Sequence, residues 1–288
     1  MSLKDKLDSQ EFVILAEIDP PKGVDVADMV ANAMRVKGKV DAFVVPEMSN
    51  AVMRLSSLGG CMLLQGKGLE TVLQACCRDR NRLALQADLL AAAALGISNV
   101  VAVNGEDPSF GDHHRARAVN DVDLLELLEA VKKLQGGRDM AGIELKGAPS
   151  FCIGSVVNAG ASGGLLDLEI DQLEKKMAAG AEFFLTPPVF DLQNLTRFSK
   201  RVAELNPKII PTVLLLKSVG MARYIQRHMD HVNIPENLIT RIQRAPDKTR
   251  ECVRIASELL GTIREAGYAG VLLATIGWED KLPNILGE

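Results

Sequence analysis

The stretch VILAEIDPPKG, Val13–Gly23, decides the fold. Val13, Ile14, Leu15 and Ala16 form a continuous apolar run. Such a run predicts a strand buried on both faces, the signature of a parallel sheet, here over Val13–Ile18. Pro20 and Pro21 cannot continue a central strand, because each lacks a backbone donor. The chain therefore passes into a loop near Glu17, and a carboxylate is carried at the strand tip. That first loop, DPPKG, is not the glycine-rich turn that usually opens a doubly wound open sheet. An open sheet remains the rival, but the stretch favours a barrel.

Working outward, seven further apolar runs read as strands: Ala42–Val45, Thr71–Cys76, Asn99–Val103, Phe151–Val157, Phe183–Thr186, Ile209–Leu216 and Gly270–Thr275. Amphipathic stretches separate them. RLALQADLLAAAALG places Leu83, Ala87, Leu90 and Ala94 at helical spacing and ends at Gly96, a C-terminal stop. DVDLLELLEAVKKLQGG begins with acids and ends with lysines and glycines, as the helix dipole favours. DKTRECVRIASELLGTIREAGYAG reads as a long helix feeding the last strand. Eight strand–helix units predict an α/β protein, a single-domain (β/α)8 TIM barrel over residues 1–288.

Composition narrows the function classes. The 288 residues carry a formal net charge of -4, and apolar residues make up 47%, enough for a large core. No basic face is implied, so nucleic acid is not an expected partner. No apolar run approaches the roughly 20 residues that span a bilayer, and the polar start MSLKDKLDSQEF does not read as a signal peptide. Five cysteines with no CxxC pair read as reduced thiols, and the expected location is the cytoplasm. None of the four histidines is placed to serve Cys77 as a base. His113 and His114 are adjacent on a loop; His228 and His231 fall at a helix end. Neither pair has metal-ligand spacing, so no metal site is expected.

A barrel carries its site at the C-terminal ends of its strands. Those ends collect Glu17, CCRDRN, NGEDPSFGD, Asn158, Thr186–Pro187 and Lys217. The loop after Val103 offers Gly105 for close backbone approach to a ligand, and Glu106 and Asp107 as hydrogen-bond acceptors; an acidic turn is the plainer reading. Arg78 and Arg80 flank Asp79, and either bind a phosphate or tie their own loop down.

In order and spacing, AEIDPPKG, CRDRN, LGISNVVAVNGEDPSFGD, VNDVDLLELL, PSFCIGSVVN, KKMAAGAEFFLTPPVFD and VNIPENL resemble the methylenetetrahydrofolate reductase family. The resemblance runs from about Phe12 to Leu286 and is closest to the bacterial branch fused to homocysteine methyltransferase domains. It implies a barrel holding a flavin, FAD or alternatively FMN, that passes a hydride from NAD(P)H to 5,10-methylenetetrahydrofolate. Glu17 matches the family's catalytic acid, which protonates N10 and opens the folate ring to an iminium that accepts hydride. Glu106 falls where the family has an aspartate near flavin and pterin. Asn104 and Gly105 match positions along the flavin, and Gln74 stands where a histidine is frequent. Glu169, Gln172, Lys175 and Lys176 match a helix whose residues contact cofactor ribose and phosphates; a solvated charged face is the plainer reading of Glu169 and Lys175. Thr186 and Pro187 match the pterin-binding stretch.

The family's glutamine in that stretch is Pro187 here, which offers no side-chain hydrogen bond. This keeps three readings in play: the folate reductase, a relative that uses another one-carbon carrier or an electron-donor protein, and a non-catalytic barrel subunit. Relatives are generally oligomers, so a homo-oligomer is the expected state.

Overall fold

The computed structural model describes residues 1–229 and 232–287. Its eight strands are β1 Val13–Glu17, β2 Ala42–Val45, β3 Thr71–Cys76, β4 Asn99–Val103, β5 Cys152–Val156, β6 Phe183–Pro188, β7 Lys208–Leu214 and β8 Gly270–Ala274. All pair in parallel in the order of the chain, and β8 closes on β1, with Leu15 opposite Leu272. The helices are α1 Leu3–Asp8, α2 Ala27–Arg35, α3 Ser57–Gln65, α4 Arg82–Ala94, α5 Leu124–Gln135, α6 Gly164–Ala178, α7 Gln193–Arg201, α8 Val219–His228, α9 Glu236–Arg244, α10 Lys248–Glu265 and α11 Leu282–Ile285. His231 of the histidine pair lies outside the described residues.

Three strands match the expected bounds, and the others differ by one or two residues at an end. The larger change is in β6. It runs on through Pro187 and Pro188, and its pairing with β7 shifts register between Leu185 and Pro188. Proline is tolerated in a strand where a bulge removes the need for its missing N–H. In α4 the buried face is Leu85, Leu89 and Ala92, not the one expected; Leu83 is 74% exposed.

Two apolar layers follow from strand alternation. Val13, Leu15, Val44, Val72, Phe183 and Leu272 belong to the cluster filling the barrel interior. Their alternates, among them Ala16, Phe43, Leu73 and Phe184, join the helices in the outer core. Leu3 and Leu7 of α1 belong to the inner cluster, so α1 plugs the N-terminal end. Ion pairs fasten it: Lys6 to Asp41 and Asp8 to Lys208, each at 2.6 Å, and Lys4 to Glu182. With the floor sealed, the interior opens at the C-terminal ends of the strands. No described helix is long and apolar enough to cross a membrane.

Candidate active site

Glu17 ends β1 and continues the inward register of Val13 and Leu15. Its carboxyl is recessed in the barrel mouth, and no hydrogen bond or ion pair joins it to another described residue. Burial there disfavours the anion, and the charges of Asp19, Glu279 and Glu106 add to the effect. Together they push its pKa from the ordinary 4.5 up to about 8. Three loops therefore converge on one carboxyl: those after β1, β4 and β8. Lys217, on the loop after β7, is engaged elsewhere. It donates to the Ile276 carbonyl and lies 5.3 Å from the centre of the Trp278 ring.

The β3 and β4 loops are locked by Arg78, which is 3% exposed. Its Nε and one terminal nitrogen form a fork on the Asp79 carboxylate, both bonds 2.7 Å. Its other terminal nitrogen donates to the Glu106 carbonyl at 3.2 Å and reaches the Glu106 carboxylate at 3.4 Å. Of the two sequence readings of this arginine, the tie within the loops is the one realised. Gly105 lies between, with φ +82°, and a Cβ there would stand 2.5 Å from Cys76 Sγ. Only glycine meets both conditions. Glu106 is thereby presented toward Glu17 with its side chain half-exposed.

The cofactor-side residues divide. On α6, Glu169 accepts the Asn158 N–H at 3.1 Å, and Lys176 donates to the Val156 carbonyl at 2.8 Å. Both side chains therefore reach the C-terminal end of β5, and Gln172 shares their face by helical spacing. Lys176 is only 7% exposed, and burial lowers its pKa. Lys175, one residue back, points away: it is exposed and paired with Asp171 at 2.7 Å. Asn104 is exposed and lines, with Gly105 and Glu106, a cavity of about 350 Å³. Gln74 continues the inward register of Val72, and its Oε1 accepts the Glu47 N–H at 2.8 Å. Thr186 is buried in the bulge, where its hydroxyl donates to the Pro187 carbonyl and accepts the Thr212 N–H. Pro187 lines a small crevice beside Gly160 and Asn233.

Sequence reading missed Glu47, 4% exposed, which accepts from Arg80 at 2.8 Å and from the Ser57 N–H at 2.7 Å. It also missed Asp19 and Glu279 as neighbours of Glu17. Only their places in the loops that follow strands could have signalled them. Cys77 is buried, and burial pushes its thiol up to about 12, away from nucleophilic use. Among the described residues no group of three or more His, Cys, Asp or Glu side chains is arranged to hold a metal ion.

A closed parallel barrel with a recessed, unpaired carboxyl in its mouth has the general layout of a TIM-barrel enzyme. The methylenetetrahydrofolate reductase family profile matches residues 2–288, and the chain belongs to that oxidoreductase family. A stretch of 193 residues is 24% identical to methylenetetrahydrofolate reductase 2 of Schizosaccharomyces pombe, covering 65% of this chain and 29% of that protein. The chain thus spans under a third of that relative's length. Among solved structures, an EDTA monooxygenase from Chelativorans sp. BNC1 superposes with TM-score 0.59 at 10% identity, over 96% of this chain and 92% of that one. A 2,3-dimethylmalate lyase superposes with TM-score 0.56 at 9% identity, over 98% and 79%. At such identities these two likenesses concern the fold alone.

Proposed function

We propose that this chain reduces 5,10-methylenetetrahydrofolate to 5-methyltetrahydrofolate with a bound flavin, FAD or FMN, and NAD(P)H as hydride source. The observation that carries the reading is the recessed, unpaired Glu17 with a pKa raised to about 8. At neutral pH it holds a proton in the barrel mouth and is free to give it to N10 of the folate ring. Losing that proton costs little once a cationic iminium forms beside it, because opposite charges stabilise each other in a dry site. Glu106, on the opposing loop, accepts hydrogen bonds from the pterin. Pro187 and the tied Thr186 hydroxyl shape the far wall without donating to substrate.

The residues present fit a flavin. Lys176 is a buried ammonium with one hydrogen-bond partner among the described residues, a backbone carbonyl. Its remaining donors suit a phosphate. Glu169 and Gln172 on the same face would take ribose hydroxyls, and Asn104 and Gly105 would border the ring. When bound, the flavin supplies hydride transfer. The chain's own residues bind, orient and deliver the proton.

The test is the visible spectrum of the full chain under anaerobic conditions. Flavin bands that bleach with NADH and return with methylenetetrahydrofolate support the reading, and Glu17→Gln then keeps the bleaching and loses the return. No flavin bands after incubation with FAD or FMN would overturn it. Pro187, in place of the family's glutamine, favours a second reading, reduction of a different one-carbon carrier. Bleached flavin that this folate does not reoxidise would point there, and bands that NADH fails to bleach would point to an electron-donor protein.

A further inference from the structure

α4 carries two apolar faces, and the barrel covers one of them. Leu85, Leu89 and Ala92 are buried in the outer core. On the opposite side Leu83, Ala87, Leu90 and Ala94 follow one another at steps of four, three and four, the spacing of a coiled-coil seam. Leu83, Ala87 and Ala94 are exposed, and Leu90 is half-buried. A single leucine in water is ordinary, but a continuous apolar line marks a contact surface.

No free charge interrupts it. The charged residues of α4 are Arg82 and Asp88, and each is tied within the chain: Arg82 to Asp121 at 2.9 Å, and Asp88 to Arg80 at 2.7 Å. The neighbouring helix α3 has no charged residue. Its last residue, Gln65, donates to the Gly96 carbonyl at 2.9 Å and so joins the ends of the two helices. Met62 and Leu63 of α3 are exposed, and Leu95, just past α4, is 47% exposed, so the apolar surface widens at that end.

The order of the residues selects the occupant. Read forwards, the line is large, small, large, small; read backwards, it is small, large, small, large. A second α4 laid antiparallel across a two-fold axis sets Leu83 against Ala94 and Leu90 against Ala87, so every leucine enters the space above an alanine. The same two-fold brings the Met62–Leu63 shoulder of one chain beside the first turn of α4 in the other. Neutrality matters too, because a free charge near such an axis would face its own copy. Two helices side by side present a face of about 20 Å by 20 Å, the footprint of a small specific interface.

We propose that α4 and the adjoining face of α3 form the contact between two copies of this chain, an isologous dimer in which the two α4 helices run antiparallel. The proposal is independent of the reaction proposed above.

The test is sedimentation velocity of the full chain across micromolar concentrations. A species of twice the mass of the chain is expected. Ala87→Glu places like charges close to the axis and should weaken the dimer about a hundredfold or more. Ala87 is exposed, so the circular dichroism of this variant should match the parent. Leu90→Lys should dissociate the dimer likewise. An equimolar mixture of the two variants should restore it, because the two-fold sets position 87 of one chain against position 90 of the other. Ala87→Glu mixed with Leu83→Lys, which is out of register, should not. Three results would overturn the proposal: a parent that stays monomeric throughout, which would leave the face to a different protein; an assembly whose mass Ala87→Glu leaves unchanged; or variants that dissociate and fail to pair when mixed.

Discussion

Replacing Glu17 by glutamine separates stability from catalysis in one variant. The carboxyl has an ordinary pKa of 4.5 and one of about 8 in the fold. Below 4.5 it is neutral in both states and folding is unaffected. As pH rises from there, the unfolded chain ionises while the folded one keeps its proton, and stability falls until pH passes about 8. At pH 7 the difference amounts to roughly 3 kcal/mol, and above 8 it approaches about 5 kcal/mol, as orders of magnitude. Glutamine carries no such penalty. Urea unfolding of the two proteins should therefore coincide near pH 4 and diverge as pH rises, with Glu17→Gln the more stable. On the proposed function, catalysis should run the other way: loss of the acid should slow the folate-dependent reoxidation by roughly 10²–10⁴-fold. A stability difference that does not grow with pH would refute the raised pKa. A variant that reoxidises at the parent rate would refute the role of acid.

Three further outcomes test the frame around the site. Gly105→Ala forces a Cβ to 2.5 Å from Cys76 Sγ at φ +82°; unfolding titrations should show a loss of about 1–3 kcal/mol, and the flavin complex should weaken. Leu3→Ala leaves a hole in the barrel floor, where Leu3 is fully buried; a loss of about 2–5 kcal/mol is expected in the same assay, without change in the flavin spectrum. Asp79→Ala removes the fork from the buried Arg78 guanidinium and leaves it the longer contacts to Glu106 and the Met48 carbonyl; about 1–3 kcal/mol should be lost, together with order in the Glu106 loop, read by limited proteolysis.

Much of the barrel was legible because its strands are buried on both faces, so each stands out as an unbroken apolar run. α1 was not legible: six residues are too few to show a period, and its charged face reads as a polar start. The buried face of α4 was misplaced because leucine and alanine lie all round it, and packing rather than pattern selects Leu85 and Leu89. The adjacent Lys175 and Lys176 differ by about 100° on the helix, and only the docking of α6 sends one to the end of β5 and the other to solvent. Glu17 was readable as a carboxylate at a strand tip. Its acidic neighbours were not, because Asp19, Glu106 and Glu279 come from three loops that only barrel closure brings together.

That gathering of acids has a measurable consequence of its own. Burial is the largest cause of the raised Glu17 pKa, ahead of the charges of Asp19, Glu279 and Glu106. Asp19 is a poor probe, since it also accepts the Ser49 hydroxyl at 3.0 Å and faces Arg54 at 3.9 Å. Glu279 is cleaner: its one hydrogen bond among the described residues is from the Gly277 N–H at 2.7 Å, which a glutamine oxygen can keep. Glu279→Gln removes one negative charge facing Glu17 and should move the alkaline limb of the reoxidation profile to lower pH. Because burial remains, the limb should stay well above the ordinary 4.5. An unmoved limb would mean that burial alone holds the proton. A limb that collapses to the ordinary carboxylate range would mean that charge, not burial, sets the acid, and that the barrel mouth is wetter than its geometry indicates.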